Sequence, residues 1–264
     1  MELSIVILHS NTPKDVEMCL RSMRQTWLPP ETEIFVINNR VNGANALVPA
    51  DAWEGLPVRF IEIPQDGYIF GNNFGYQMAT GRMIATMNAD ITLEADTFKR
   101  LIAHLDDNRQ VGIVAPRLFY PSGNEQDSAR RFPTIMELIG RRIAGHRHER
   151  PHFGDQEYAE VDWVTGAFFL MTRTCLEAIG GHDERFHLFM SDVAICRNAW
   201  KHGFHVRQLR DCRATHHEAR LSGGNMWRLI RKRTGRIHVK DSLKYFLHYG
   251  PQALPPLSPS AKHR

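Results

Sequence analysis

Apolar positions along the chain fall into short runs separated by polar and glycine-rich stretches. Leu3-Ser4-Ile5-Val6-Ile7-Leu8, Glu33-Ile34-Phe35-Val36-Ile37 and Val58 to Ile63 are nearly continuous, the pattern of strands covered on both faces. Between the first two, Val16, Cys19, Leu20, Met23 and Trp27 recur at helical spacing on one face. Thr12 suits the cap, Pro13 the first helical position and Asp15 the positive end of the dipole, and Pro29-Pro30 stops the helix. Strand, helix, strand with short connections implies a right-handed crossover and a parallel pair. Residues 40–57 read as a loop. Gly67 to Gly81 mixes glycine with polar groups and opens a helix. Arg82-Met83-Ile84-Ala85-Thr86-Met87 is another buried strand, running into Asn88-Ala89-Asp90. A helix with Ala95, Phe98, Leu101, Ile102 and Leu105 inward comes next, then a strand over Val111 to Ala115. Residues 1–115 therefore read as the nucleotide-binding half of an α/β sandwich.

Residues 116–220 are less regular. They include Arg130-Arg131, a helix-like Thr134 to Ala144 and a His/Arg-rich loop from His146 to His152. Val161 to Met171 is apolar and β-prone. Asp192 opens a helix through Val193, Cys196 and Trp200 that Gly203 ends, and His205 to Leu209 is a last strand leading to His216-His217. In open α/β sheets ligands bind beyond the carboxyl ends of strands, so Asp90 is the carboxylate expected to face a crevice. The competing reading makes it a helix cap for Thr92 onward.

The chain has 264 residues, 42% of them apolar and 23% charged, which suits an ordinary globular protein with a sizeable core. Cys19, Cys175, Cys196 and Cys212 form no CxxC pair, which excludes a zinc cluster or disulfide framework and fits a reducing compartment. No apolar run approaches the ~20 residues that cross a bilayer. The first residues read as a strand rather than a signal peptide, giving a cytoplasmic expectation. The net charge of +4 hides an asymmetry. Residues 221–264 carry nine Lys/Arg and one Asp, while the preceding 220 hold 24 basic and 28 acidic groups. That argues against a nucleic-acid partner for the body and for a tail that meets something anionic. A dinucleotide-binding dehydrogenase is disfavoured because the first strand is followed by His9-Ser10-Asn11, not GxGxxG.

Taken in order, these segments resemble the family 2 glycosyltransferases. They are Ser4-Ile5-Val6-Ile7 through Asn11, Cys19-Leu20-Arg21-Ser22 with Gln25, Gly71-Asn72-Asn73-Phe74-Gly75 and Asn88-Ala89-Asp90. They continue with Arg131-Phe132-Pro133-Thr134, Asp162 to Ala167, Gly180 to Phe186, Asp192, Cys196-Arg197 and His216-His217. The family comprises inverting enzymes of the GT-A fold, and the likeness is to its rhamnosyltransferase-like branch in bacterial cell-surface polysaccharide synthesis. It implies a Rossmann-like mixed sheet flanked by helices in a single domain over 1–220, with halves 1–115 and 116–220. Residues 221–264 would be a basic helical extension with a Pro/Ser-rich end.

The resemblance further implies a transfer dependent on Mg²⁺ or Mn²⁺, from a nucleoside diphosphate sugar, with inversion at the anomeric carbon. Asp90 aligns with the last acid of the metal motif, Ala89 standing where the branch usually has proline. Asp192 aligns with the catalytic base and His216 with a histidine that closes over diphosphate and metal. Ser10, Asn38, Gly71, Asn72, Asn73 and Asn88 fall around the nucleotide, the glycine letting backbone approach it. Trp163, Gly166 and Ala167 form the acceptor wall, with simple core packing an equal alternative for Trp163. Each assignment has a plainer rival: a cap for Asp192, a surface loop for His216, an ordinary turn for Gly71 to Gly75.

Such a metal neutralises charge where it develops on the leaving diphosphate. The base must reach the acceptor hydroxyl, and a helix start favours its ionised form. Three family acids are replaced, by Asn38, Ser191 and Ala194. The implied donor is dTDP-rhamnose and the implied acceptor a lipid-linked glycan. The alternatives are a galactose, glucose or N-acetylhexosamine donor, or a non-catalytic protein that binds nucleotide or partners. Met226 to Arg233 either lies on an anionic inner leaflet or packs as a solvated helix on the body.

Overall fold

Every residue of β1 (Leu3–His9) is buried, because its alternate side chains feed two separate cores. Val6 and Leu8 join one cluster, and Leu3, Ile5 and Ile7 join the other. The computed structural model describes residues 1–64, 67–135, 151–217 and 233–250. The predicted helix over Thr134 to Ala144, the loop from His146, the Met226 to Arg233 segment and the Pro/Ser-rich end lie wholly or mostly outside these residues.

The other strands of the main sheet are β2 (Thr32–Asn38), β3 (Val58–Glu62), β4 (Met83–Asn88), β5 (Ile91–Leu93), β6 (Val111–Phe119), β8 (Tyr158–Glu160), β10 (Phe168–Thr172) and β11 (His205–His216). Their order is β3-β2-β1-β4-β10-β6-β11-β5, with β8 on β11. A separate ladder joins β7 (Ala129–Arg130) to β9 (Trp163–Val164). The helices α1 (Pro13–Met23) and α3 (Thr97–Asp107) cover the Ile5 face. The other face carries α2 (Gly67–Met78), α4 (Arg173–Ile179), α5 (Ser191–Lys201) and α6 (Arg233–Tyr249). This is the expected mixed sheet flanked by helices.

Several expectations change. α1 ends at Met23 and leaves Trp27 exposed, since the chain turns at Arg24 to Thr26 rather than running on to Pro29. Thr12 takes the cap position without a side-chain hydrogen bond. Asp90 sits in a turn between β4 and the unpredicted β5, and α3 starts only at Thr97, so Asp90 caps no helix. Ala95 lies before that helix and is exposed. β11 runs on to His216, past Leu209, because β6 continues beside it through Phe119 and β5 pairs with its last three residues.

The glycines of α2 answer to packing. A Cβ on Gly71 would stand 2.4 Å from Leu8 Cδ1, and one on Gly75 2.4 Å from Val6 Cγ1. They let α2 lie close on β1, a packing reason for glycine at both positions. Val6 is β-branched and stiff. Gly75→Ala is expected to destabilise the chain by about 1–3 kcal/mol through overpacking, read from the denaturant midpoint.

Candidate active site

Strand direction gathers the site. β10 is antiparallel to both β4 and β6, and β11 is parallel to β6. β4 and β11 therefore point the same way, with β1 and β2 parallel to β4. Their carboxyl ends, at His9, Asn38, Asn88 and His216, reach one edge of the sheet. Because β10 runs against them, its start lies at that edge too, and Ala167 accepts the Asn88 N–H at 2.8 Å.

Just beyond β4, Asp90 is buried, and its carbonyl accepts the His217 N–H at 2.9 Å. Its carboxylate Oδ2 lies 3.3 Å from His216 Nε2, yet that nitrogen is buried and makes no hydrogen bond. The other ring nitrogen, Nδ1, stands 2.9 Å from Gln126 Oε1, and the same amide donates Nε2–H to the His216 carbonyl at 3.0 Å. An amide oxygen only accepts, so Nδ1 carries a proton, and in the neutral imidazole Nε2 presents its lone pair. A lone pair and a carboxylate oxygen facing each other are a pair of donors that a cation can share. Oxygen and imidazole donors held this way suit Mn²⁺ or Mg²⁺. Among the described residues no three acidic, histidine or cysteine side chains cluster, so the remaining positions would fall to diphosphate and water.

Asp192 occupies the first turn of α5 and is partly buried. Its Oδ1 accepts the Val193 N–H at 2.9 Å. Burial pushes its carboxyl pKa above the ordinary 3.8, against the pull of the Val193 N–H and of Arg130. Desolvation thus outweighs the dipole expected to favour its ionised form. Gly166 packs beside it: a Cβ there would sit 3.6 Å from Asp192 Cβ and 2.5 Å from Tyr68 Oη. Tyr68 Oη donates to the Gly166 carbonyl at 2.7 Å. Glycine is required where the tyrosine closes on backbone.

Other expected site residues are occupied elsewhere. Asn38 is fully buried; its Oδ1 accepts the Asn11 N–H at 3.2 Å and its amide nitrogen reaches Asn42 Oδ1 and Glu62 Oε1. It shapes the loop after β2 and offers no free edge to a base. Ser10 is exposed, its Oγ accepting from Arg40. Asn73 clasps both backbone groups of His182, and Asn72 donates to the Tyr68 carbonyl. Trp163 is 7% exposed, with Nε1 bonded to the Arg131 carbonyl and Arg130 over its ring. Its burial fits the packing alternative. Ser191 and Ala194 are buried in α5, so both replaced acids fall on positions that face the core.

Sequence reasoning passed over Gln126, which carries no motif, and Tyr68, whose role shows only through Gly166. It also passed over Glu62. That carboxylate accepts the Gly43, Asn42 and Asn45 N–H groups, and these hydrogen bonds, the Gly43 N–H foremost, hold its pKa low.

A family model described as Glycosyl transferase family 2 matches residues 4–180. The O-antigen biosynthesis protein RfbC of Myxococcus xanthus is 23% identical over 230 residues, covering 83% of this chain and 17% of RfbC. The N-acetylglucosaminyl-diphospho-decaprenol L-rhamnosyltransferase of Mycobacterium tuberculosis (strain ATCC 25618 / H37Rv) is 23% identical over 183 residues, covering 58% of this chain and 59% of that protein. The chain thus spans less than two thirds of both relatives, 17% of one and 59% of the other. Among solved structures, the mannosyltransferase PcManGT from Pyrobaculum calidifontis, in complex with GDP-Man and Mn²⁺, superposes with a TM-score of 0.65 at 17% identity, covering 99% of this chain and 68% of that one. GalNAc-T7 with UDP, GalNAc and Mn²⁺ gives 0.66 at 17%, covering 100% and 54%. The fold is GT-A, as the order of motifs implied.

The raised pKa of Asp192 has a stability consequence. The folded state keeps this proton to higher pH than the unfolded chain, so its contribution is lost as pH rises from 3.8 through the folded value. Asp192→Asn removes the burial cost of the charge. Its thermal midpoint at pH 7 is expected to equal or exceed the parent's, and the gap is expected to narrow on acidification.

Proposed function

The chain belongs to glycosyl transferase family 2, and from that premise we propose that it transfers a sugar from a nucleoside diphosphate donor to a glycan, with inversion at the anomeric carbon. The observation that carries this reading is the unbonded His216 Nε2 facing Asp90 Oδ2 at the sheet edge, with Asp192 packed against Gly166 nearby. Rhamnose from dTDP-rhamnose is the proposed donor and a lipid-linked glycan the proposed acceptor, in cell-surface polysaccharide synthesis. The name of the mycobacterial relative supports rhamnose and a lipid-linked acceptor, and that of RfbC supports polysaccharide synthesis.

In this reading Asp90 and His216 hold a divalent cation with the diphosphate, and the cation offsets charge on the leaving group. Gln126 keeps His216 in the tautomer that binds. Ser10 and Asn88 line the nucleotide side, while Asn38 acts through the loop it orders. Gly166 and Ala167 bound the acceptor. Asp192 accepts the proton of the attacking hydroxyl, and its raised pKa makes it a stronger base than a free aspartate.

A thermal-shift panel of nucleoside diphosphates and their sugars, with and without Mn²⁺, tests the reading. Metal-dependent stabilisation is expected in the parent and is expected to disappear in Asp90→Asn and His216→Ala. Asp192→Asn is expected to keep that stabilisation while losing at least ~10²-fold in turnover. Absence of any metal-dependent stabilisation in the parent overturns the proposal.

The proposal includes docking on an anionic lipid surface, where such an acceptor resides. No helix among the described residues is long and apolar enough to cross a membrane. On α6, however, Val239, Leu243 and Leu247 are 41%, 63% and 80% exposed and spaced four apart, with exposed Arg236 and Lys240 beside them. An apolar stripe edged by cations suits a bilayer interface, each cation contributing on the order of 1 kcal/mol. Leu243→Glu with Leu247→Glu is expected to abolish flotation with phosphatidylglycerol liposomes; equal flotation by variant and parent rules this surface out.

A further inference from the structure

Residues 221–264 contain one acidic side chain, Asp241, among nine Lys/Arg. It lies on α6 and is 1% exposed. Its carboxylate accepts three consecutive backbone N–H groups from the loop before α5: His187 at 3.2 Å, and Leu188 and Phe189 at 3.0 Å. Successive N–H groups turned the same way form an anion-binding concavity. Here the anion comes from a helix more than fifty residues further along the chain.

The clasped loop leads directly to the proposed base. Met190 follows it with φ of 65°, a left-handed conformation that a non-glycine side chain adopts only when its surroundings impose it. Ser191 Oγ then donates back to the Leu188 carbonyl at 3.2 Å, the Ala194 N–H bonds the Met190 carbonyl, and Asp192 sits between them. The direction in which α5 starts, and with it the position of the Asp192 carboxylate beside Gly166, is therefore set by the loop that Asp241 holds. Further along the two helices, Arg197 donates to Tyr245 Oη at 2.8 Å and to the Tyr249 carbonyl at 2.9 Å, and Tyr249 Oη donates to Asn198 Oδ1 at 3.0 Å. Those contacts fasten α6 to the body without touching the loop. The carboxylate is thus not needed to dock α6; its distinct work is on the His187 to Phe189 amides.

We propose that Asp241 is a positioning residue for the reaction: by clasping the His187, Leu188 and Phe189 amides, it fixes the start of α5 and holds Asp192 where it meets the acceptor hydroxyl. The inference rests on Asp192 being the base. It gives Asp241, one residue of the basic C-terminal helix, a part in placing Asp192, separate from the outer apolar stripe.

The test uses the full chain with Asp241→Asn and, as a control for loosened docking, Tyr249→Phe. Asn keeps the shape but supplies one neutral acceptor oxygen in place of a charged pair. Asp241→Asn is expected to lower kcat by ~10- to 100-fold, as small misplacements of a reacting group do, with donor KM within about twofold of the parent. Tyr249→Phe is expected to leave kcat within about twofold whatever its effect on melting temperature. Hydrogen exchange, which needs no activity, is expected to speed up at the His187 to Asp192 amides in Asp241→Asn and not in Tyr249→Phe. If the two variants share the same kcat, or if exchange at those amides is unchanged in Asp241→Asn, the proposal is wrong. A parent without transferase activity counts against the transferase reading alone, and the exchange comparison still decides whether Asp241 holds the loop.

Discussion

The direction of one strand governs the rest of this molecule. β10 is hydrogen-bonded between β4 and β6 and runs against both. An antiparallel strand inserted into a parallel set joins two groups of strands without reversing either. The carboxyl ends of β1, β2 and β4 on one side and of β11 on the other thus share one edge. The same reversal delivers the segment before β10, Gly166-Ala167, to that edge. Were β10 parallel to β4, Asp90 and the Gly166 wall would lie at opposite ends of the sheet.

The charges at that edge are governed by what water can reach. Asp90 and His216 are each held from behind, by the His217 amide and by Gln126, so that an oxygen and a lone pair confront each other. Asp192 sits beside Gly166; its helix start alone would lower its pKa, but burial raises it. In the proposed reaction these two carboxylates do different work, one sharing a cation and one taking a proton.

The C-terminal helix belongs to the same arrangement. Its inner face contributes Tyr245 and Tyr249 to the core and stacks both rings on Arg197 of α5, while Asp241 spends its charge on backbone. Its outer face keeps Val239, Leu243 and Leu247 in solvent. One face therefore bears on the loop before α5 and the other looks away from it, so the helix is more than the charged appendage its composition suggests.

The sequence made most strands and helices of the first half legible, because apolar periodicity and helix punctuation are local; β5 escaped because it exists through pairing with β11. The order of its short motifs also identified the family and pointed to Asp90, Asp192 and His216. It could not determine which polar side chains face a ligand. Asn38, Asn72, Asn73 and Trp163 look the same in sequence whether they meet a nucleotide or other protein groups, and the partners of Asn38, Asn73 and Trp163 here include residues tens of positions distant. Gly71 reads as a phosphate-type glycine until Leu8 is seen against it. Gln126, Tyr68 and Asp241 carry no local signal beyond the oddity of one acid in a basic tail. Their roles exist only through contacts between distant segments, and those contacts are set by sheet order and packing rather than by neighbours along the chain.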